Sequence, residues 1–154
     1  MRIIIDGDAC PKGVRTICEA AAAEYNLPLL IVADISHNLE GDDDCEVISV
    51  DEGPDSSDYK IASMTDPQDI IITHDYGLAA LVLDKATAVL NPMGFVYSTA
   101  NIDQLLYQRF LRQKQRKAGH GTRIKKRTPE DDALFKRMLM SFIAPVSLTL
   151  DEEQ

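Results

Sequence analysis

Met1 to Pro11 reads MRIIIDGDACP: an apolar run, Ile3-Ile4-Ile5, closes on two carboxylates, Asp6 and Asp8, with Pro11 just behind them. A β-branched apolar run followed by a proline-led polar stretch predicts a buried strand feeding a helix, because proline fits the first helical turn, where its missing N–H has no partner anyway. The carboxylates then stand at the C-terminal edge of a sheet, where open α/β sheets form ligand crevices. Asp6 and Asp8 lie two residues apart, so in extended backbone their side chains point the same way. Two like charges that close repel unless a cation or proton joins them. A divalent metal resolves the conflict. The competing reading makes Asp8 the helix cap and Asp6 a solvated loop residue.

Two further acidic positions favour the metal. Asp55 to Ala62 reads DSSDYKIA, with Asp55 at a helix start, Asp58 one turn in, and Ile61 and Ala62 behind them. Asp69 to Asp75 reads DIIITHD, a second apolar run closing on an acid, followed by helical spacing in Leu78, Ala79, Leu81, Val82 and Leu83. If the two strands are parallel neighbours, roughly 5 Å apart, Asp6, Asp8, Asp58 and Asp75 converge with Asp55 at the rim. Clustered carboxylates suit a hard cation, Mg²⁺ or Mn²⁺, which takes oxygen ligands and keeps several waters.

The chain's 154 residues make one domain, and 45% hydrophobic content excludes a disordered chain. The apolar runs are far too short to span a membrane and no signal peptide is evident, so a cytoplasmic protein with no membrane partner is expected. Cys10, Cys18 and Cys45 are odd in number and lack zinc-site spacing, which predicts reduced thiols. Cys10 precedes a helix N-terminus that would lower its pKa, but with no histidine nearby in sequence it reads as packing.

The net charge of −9 argues against a nucleic-acid partner, yet the average misleads. Residues 1–103 hold 19 acids against 5 Lys/Arg, a balance of −14. Residues 104–127 hold 9 Lys/Arg and no acid: Arg109, Arg112, Lys114, Arg116, Lys117, Arg123, Lys125, Lys126 and Arg127. Such a block is either a solvated surface or an arm that contacts phosphates.

The order of patterns is strand 2–5, helix 11–25, strand 28–33, strand 46–50, helix 55–65, strand 69–73, helix 76–85, strand 87–90, then a turn and Phe95-Val96-Tyr97. Alternation of this kind predicts a single α/β domain with a mainly parallel sheet of about five strands. Asn26 or Pro28 ends the first helix. After the capping signal Ser98 to Asn101, Ile102, Leu105, Leu106, Phe110 and Leu111 recur at helical spacing and put the basic block on the far face. Gly119 to Thr122 reads as a break. Thr128-Pro129-Glu130-Asp131 starts a last helix ending near Phe142, so the domain spans 1–143, with the basic helix and loop 104–127 inside it and a tail at 144–154. Asp42-Asp43-Asp44 is a solvated loop, and among His37, His74 and His120, His74 should face away from Asp75 by strand alternation.

IDGDACP (Ile5 to Pro11), GPDSSDYKIA (Gly53 to Ala62), THDYGLA (Thr73 to Ala79) and NPMG (Asn91 to Gly94) together resemble the YaiI/YqxD family of bacterial proteins, which has a PIN-like fold. The resemblance to PIN domains sets Asp6 against a first-strand Asp, Asp8 against the next acidic position, Asp58 to Ala62 against a helix motif Asp-x-x-Ile-Ala, and Thr73 to Asp75 against Thr-x-Asp after a later strand. It implies a nuclease site using Mg²⁺ or Mn²⁺.

Three readings compete. In the first, the chain is a metal-dependent ribonuclease, or another phosphodiesterase acting on single-stranded nucleic acid. Asp6, Asp8, Asp58 and Asp75 serve as catalytic and metal-holding residues, Thr73 orients water or a carboxylate, and the basic block grips phosphates. In the second, Asp6 and Asp8 are nucleophile and acid of a haloacid-dehalogenase-type phosphatase, although the remainder of that motif set is missing. In the third, a PIN-like scaffold binds RNA or a protein without turnover. A homo-oligomer is left open.

Overall fold

A computed structural model describes residues 1–8, 10–34, 46–50, 56–119 and 125–152, the last eight as backbone only. Asp55, Arg123, the 42–44 acid run, His37, His120 and Cys45 lie outside the described residues.

The Ile3–Asp6 strand (β1) is buried along its whole length and lies at the sheet's centre. It pairs in parallel with β2 (Leu29–Asp34) on one side and β4 (Ile70–Ile72) on the other. β3 (Glu46–Val50) and β5 (Ala88–Asn91) continue outward in parallel, giving the order β3-β2-β1-β4-β5-β6. The sixth strand, β6 (Phe95–Val96), is antiparallel and closes a hairpin whose turn uses Gly94 at φ +97°, a conformation that favours glycine. The architecture, a mostly parallel α/β sheet flanked by helices, is consistent with a PIN-like fold.

Alternation along the strands divides the core into two faces. Ile3, Ile5, Leu29, Ile31, Ile70 and Ile72 meet α1 (Lys12–Tyr25) and α5 (Pro129–Glu152) through Val14, Cys18, Ala21, Phe135 and Leu139. Ile4, Leu30, Val32, Ile71 and Val89 meet α2 (Ser56–Met64), α3 (Tyr76–Val82) and the start of α4 (Ile102–Lys117) through Ile61, Leu78, Ala79, Val82 and Ile102. Small residues let helices approach closely: a Cβ on Gly13 of α1 would fall 2.5 Å from the Asp132 carboxylate of α5. At the N-terminal edge Arg2 forks onto Asp69, Nε to Oδ1 at 2.9 Å and Nη2 to Oδ2 at 2.7 Å, joining the entries of β1 and β4. The opposite edge is left for chemistry.

Three expectations need correction. Pro11 is the N-cap of α1 at ψ 144°, with no side-chain cap, so Asp8 does not cap this helix. In α4, Leu105 and Leu106 pack against the core, but Phe110 is 54% and Leu111 38% exposed, so from Tyr107 onward the helix has no buried face. The final helix continues past Phe142 and through Pro145 to Glu152. Two expected caps form: Asn26 adopts αL geometry (φ 53°, ψ 50°), and Thr128 and Asp131 bond reciprocally as a capping box. The N-cap of α4, Asn101, makes no side-chain cap bond and instead exchanges hydrogen bonds with Ser98.

Candidate functional site

Parallel register fixes the centre of the site. Ile5 of β1 stands opposite Ile72 of β4, so Asp6 and Thr73 are the next pair out of the sheet. By alternation both share the face of Ile4 and Ile71, beneath α2 and α3. The Thr73 hydroxyl donates to Asp6 Oδ2 at 2.9 Å and accepts the Asp75 N–H, also at 2.9 Å. One hydroxyl therefore ties the two run-ending acids together. Asp8 N–H donates to the other Asp6 oxygen at 3.3 Å.

Asp6 is 6% exposed, which rules out the solvated-loop reading. Burial pushes its carboxyl up to about 6 against the pull of the Thr73 and Asp8 hydrogen bonds, and repulsion from Asp8 and Asp75 adds to the rise. Asp8 turns toward the neighbouring elements: Ser57 Oγ of α2 donates to its Oδ2 at 2.8 Å, and the Asp34 N–H at the end of β2 to its Oδ1 at 3.3 Å. Asp75 caps α3, its Oδ1 accepting from the N–H groups of Gly77 (2.8 Å) and Leu78 (3.2 Å). Arg109 Nη1 lies 3.6 Å from the same oxygen. Among the described residues Asp75 Oδ2 carries no hydrogen bond.

Asp58, Asp75 and Arg109 line one cleft of about 330 Å³ together with Tyr59, Gly77 and Leu81. Asp6, Asp8 and Asp75 are thus linked by hydrogen bonds and repulsion, while Asp58 joins Asp75 across the cleft. Among the described residues, no three His, Cys, Asp or Glu side chains form a ready-made metal shell. A hard cation does not need one, since Mg²⁺ commonly takes one or two carboxylates and keeps its waters. The donor set is all oxygen, and mutual repulsion at Asp6 is what a cation would relieve, so these residues fit Mg²⁺ or Mn²⁺.

Behind Thr73 stands a brace that sequence reasoning missed. Tyr97 OH donates to the Thr73 carbonyl at 3.0 Å and accepts from Asn91 Nδ2 at 2.7 Å, while Asn91 Oδ1 accepts the Met93 N–H at 2.8 Å. Burial pushes the Tyr97 phenol up, so it stays a donor. Asn91 belongs to the NPMG motif, a usable signal. Nothing local marks Tyr97 or Ser57.

Among the described residues the two thiols do not become readily ionised nucleophiles: burial pushes Cys10 up to about 12 and Cys18 upward as well, against the lowering expected from the helix N-terminus. His74 is held low by burial and by Arg127, on the face away from Asp6. Arg127 itself is committed to Asp132 (2.7 Å) and the Pro92 carbonyl (2.7 Å), which makes it a clamp more than a phosphate contact. Arg109, Arg112, Lys114, Arg116, Lys117, Lys125 and Lys126 are exposed. A second cleft, of about 310 Å³, is lined by Tyr76, Arg109, Arg112, Gln113 and Arg116, and Arg109 is common to both clefts.

A family model described as "Uncharacterized BCR, YaiI/YqxD family" matches residues 4–145. The chain is 45% identical over 148 residues to a "UPF0178 protein" of Ruminiclostridium cellulolyticum, covering 96% of this chain and 95% of the relative. It is 42% identical over 144 residues to one of Natranaerobius thermophilus (93% and 96%), and 42% identical over 147 residues to one of Bacillus anthracis (94% and 99%). No solved structure matches.

Proposed function

The chain belongs to the YaiI/YqxD family, and from the geometry of its sheet edge we propose that it is a divalent-metal-dependent phosphodiesterase acting on single-stranded nucleic acid, with RNA the expected substrate. The observation that carries the reading is the single residue Arg109 joining an acidic cleft to an arginine-lined one. An acidic pocket alone repels a polyanion, whereas one that opens directly onto guanidinium groups can receive it.

Asp75 Oδ2 and Asp58 would hold Mg²⁺ or Mn²⁺, with Asp6 behind them. When bound, the metal lowers the pKa of its water and offsets charge on the phosphate. The chain's own groups do the rest. Thr73 keeps Asp6 and Asp75 in fixed relation, and the Tyr97 and Asn91 brace holds Thr73. Arg109 offers a planar donor fork to a phosphate oxygen. A cytoplasmic setting goes with a reading in which RNA is the substrate; none of the described helices is long and apolar enough to cross a membrane.

Asp6 does not suit the phosphatase reading, since a nucleophile with both oxygens hydrogen-bonded at 6% exposure is poorly placed to attack. The non-catalytic scaffold has one observation in its favour: Asp8 and Asp75 also hold local structure together. End-labelled single-stranded RNA, incubated with the protein in EDTA, Mg²⁺ or Mn²⁺, decides between them. Metal-dependent cleavage should fall about a hundredfold or more in Asp75→Asn, the scale seen when one electrostatic partner of the reacting atoms is removed. Mn²⁺ should raise the melting temperature of the wild type and not of that variant. RNA binding without cleavage selects the scaffold, and absence of both cleavage and metal stabilisation overturns the metal site.

A further inference from the structure

We propose that the cleft formed by Tyr76, Arg109, Arg112, Gln113 and Arg116 is a subsite for one nucleotide, lying next to the position of the reacting phosphate. The proposal rests on the reading above, which puts that phosphate at Asp58 and Asp75. Arg109, Arg112 and Arg116 follow i, i+3, i+7 spacing and so lie on one face of α4. It is the face that Ile102, Leu105 and Leu106 use to dock on the core one turn earlier, so beyond Leu106, where the helix leaves the core, that face turns from apolar and packed to cationic and exposed. Among the described residues no carboxylate pairs with Arg112 or Arg116, and Arg109 pairs only with Asp75 at 3.6 Å, with Asp58 in the same cleft. Three guanidinium groups on one cleft wall repel each other, and an anion with several oxygens removes that repulsion while filling their donor forks.

Two further lining residues, Tyr76 of α3 and Gln113 of α4, argue for a nucleotide over a bare phosphate. Tyr76 lines the cleft, and its orientation is fixed by an edge contact with Tyr97, ring centroids 5.9 Å apart at 70°. A held aromatic ring offers a base a stacking surface without sequence preference. Gln113 adds an amide that can both donate and accept toward a base edge or sugar. About 310 Å³ stands at the bottom of the range for ligand pockets, room for a single nucleotide. The shared Arg109 puts the next phosphate of the strand in the Asp58 and Asp75 cleft.

The test is titration of the full chain in EDTA with adenosine 5′-monophosphate, ribose 5-phosphate and inorganic phosphate, followed by calorimetry or amide chemical shifts. The monophosphate should bind best. The exposed pair Arg112→Ala and Arg116→Ala should weaken it about tenfold, whereas the remote Lys136→Ser should not. Tyr76→Leu should reduce adenosine 5′-monophosphate to the affinity of ribose 5-phosphate. Equal binding of the nucleotide and inorganic phosphate, or a double arginine variant with undiminished affinity, overturns the subsite. Because no metal is present, a chain lacking the metal site can still pass, and a chain that cleaves RNA with no nucleotide binding refutes the subsite alone.

Discussion

Asp6 pairs the least exposed carboxylate of the site with the largest electrostatic cost. Its ordinary value near 3.8 is raised to about 6 in the fold, so between those pH values the folded state binds the extra proton. Stability therefore falls as pH rises through this window, with the penalty absent below about 4 and complete above about 6. Two pH units correspond to about 3 kcal/mol, and losing one acceptor in Asp6→Asn returns about 1 of it. In EDTA the variant should be about 1–2 kcal/mol more stable than wild type at pH 7.5, the gain vanishing near pH 4. Urea unfolding at the two pH values checks this, and a variant weaker at both makes Asp6 a structural acid. Thr73→Val should cost about 1–3 kcal/mol by leaving the buried Asp6 oxygen and the Asp75 N–H unpaired. Arg109→Gln should strengthen Mn²⁺ binding about two- to fivefold in a thermal-shift titration, since it removes a half-exposed competing cation from Asp75. At this scale Asp6 and Asp75 were legible because each closes an apolar run, and Thr73 through the Thr-x-Asp pattern of the family resemblance. The Asp8 contacts were not, because they depend on how α2 settles over the end of β2.

Among the elements, α4 shows where periodicity stops being informative. With about 3.6 residues per turn, Ile102, Leu105 and Leu106 share a face, and Arg109, Gln113 and Arg116 continue its line. Phe110 drifts from that face and Leu111 lies opposite it, so counting apolar residues overstated the helix's buried length. The strands were easier to read: three successive isoleucines in β1 and again in β4 can only be buried on both sides, and such runs belong to parallel sheets. α5 escaped in the other direction. A proline normally ends a helix at the residue before it, yet here the helix runs through Pro145. The packing boundary within α4 is testable by chemical denaturation. Leu106→Ala should cost about 1–2 kcal/mol, since the partly buried side chain packs against the core. Phe110→Ser should stay within about 0.5 kcal/mol, as befits a surface site.

For the molecule as a whole, the charge of −9 describes neither of its faces. Residues 1–103 carry 19 of the acids, while the cations are concentrated on a helix that leaves the core after Leu106 and on the segment that follows it. This polarity was visible in sequence, but not the split among the cations: Arg127 turns inward onto Asp132 and Pro92, Arg109 bridges two clefts, and the lysines remain in solvent. Single-stranded RNA held by the outer cations should bind with an affinity that falls steeply with salt, the log–log slope being about −0.7 for each phosphate neutralised. Changing Lys114, Lys117, Lys125 and Lys126 to Ser should flatten that slope by about 0.7 for every phosphate no longer neutralised and leave Mn²⁺ stabilisation intact, because those lysines do not line the acidic cleft. Arg127→Ser should act differently, lowering stability through loss of the clamp with little change in slope. A quadruple lysine variant whose salt slope equals that of wild type would show that the strand never leaves the arginine face of α4, and that the lysines serve only solvation.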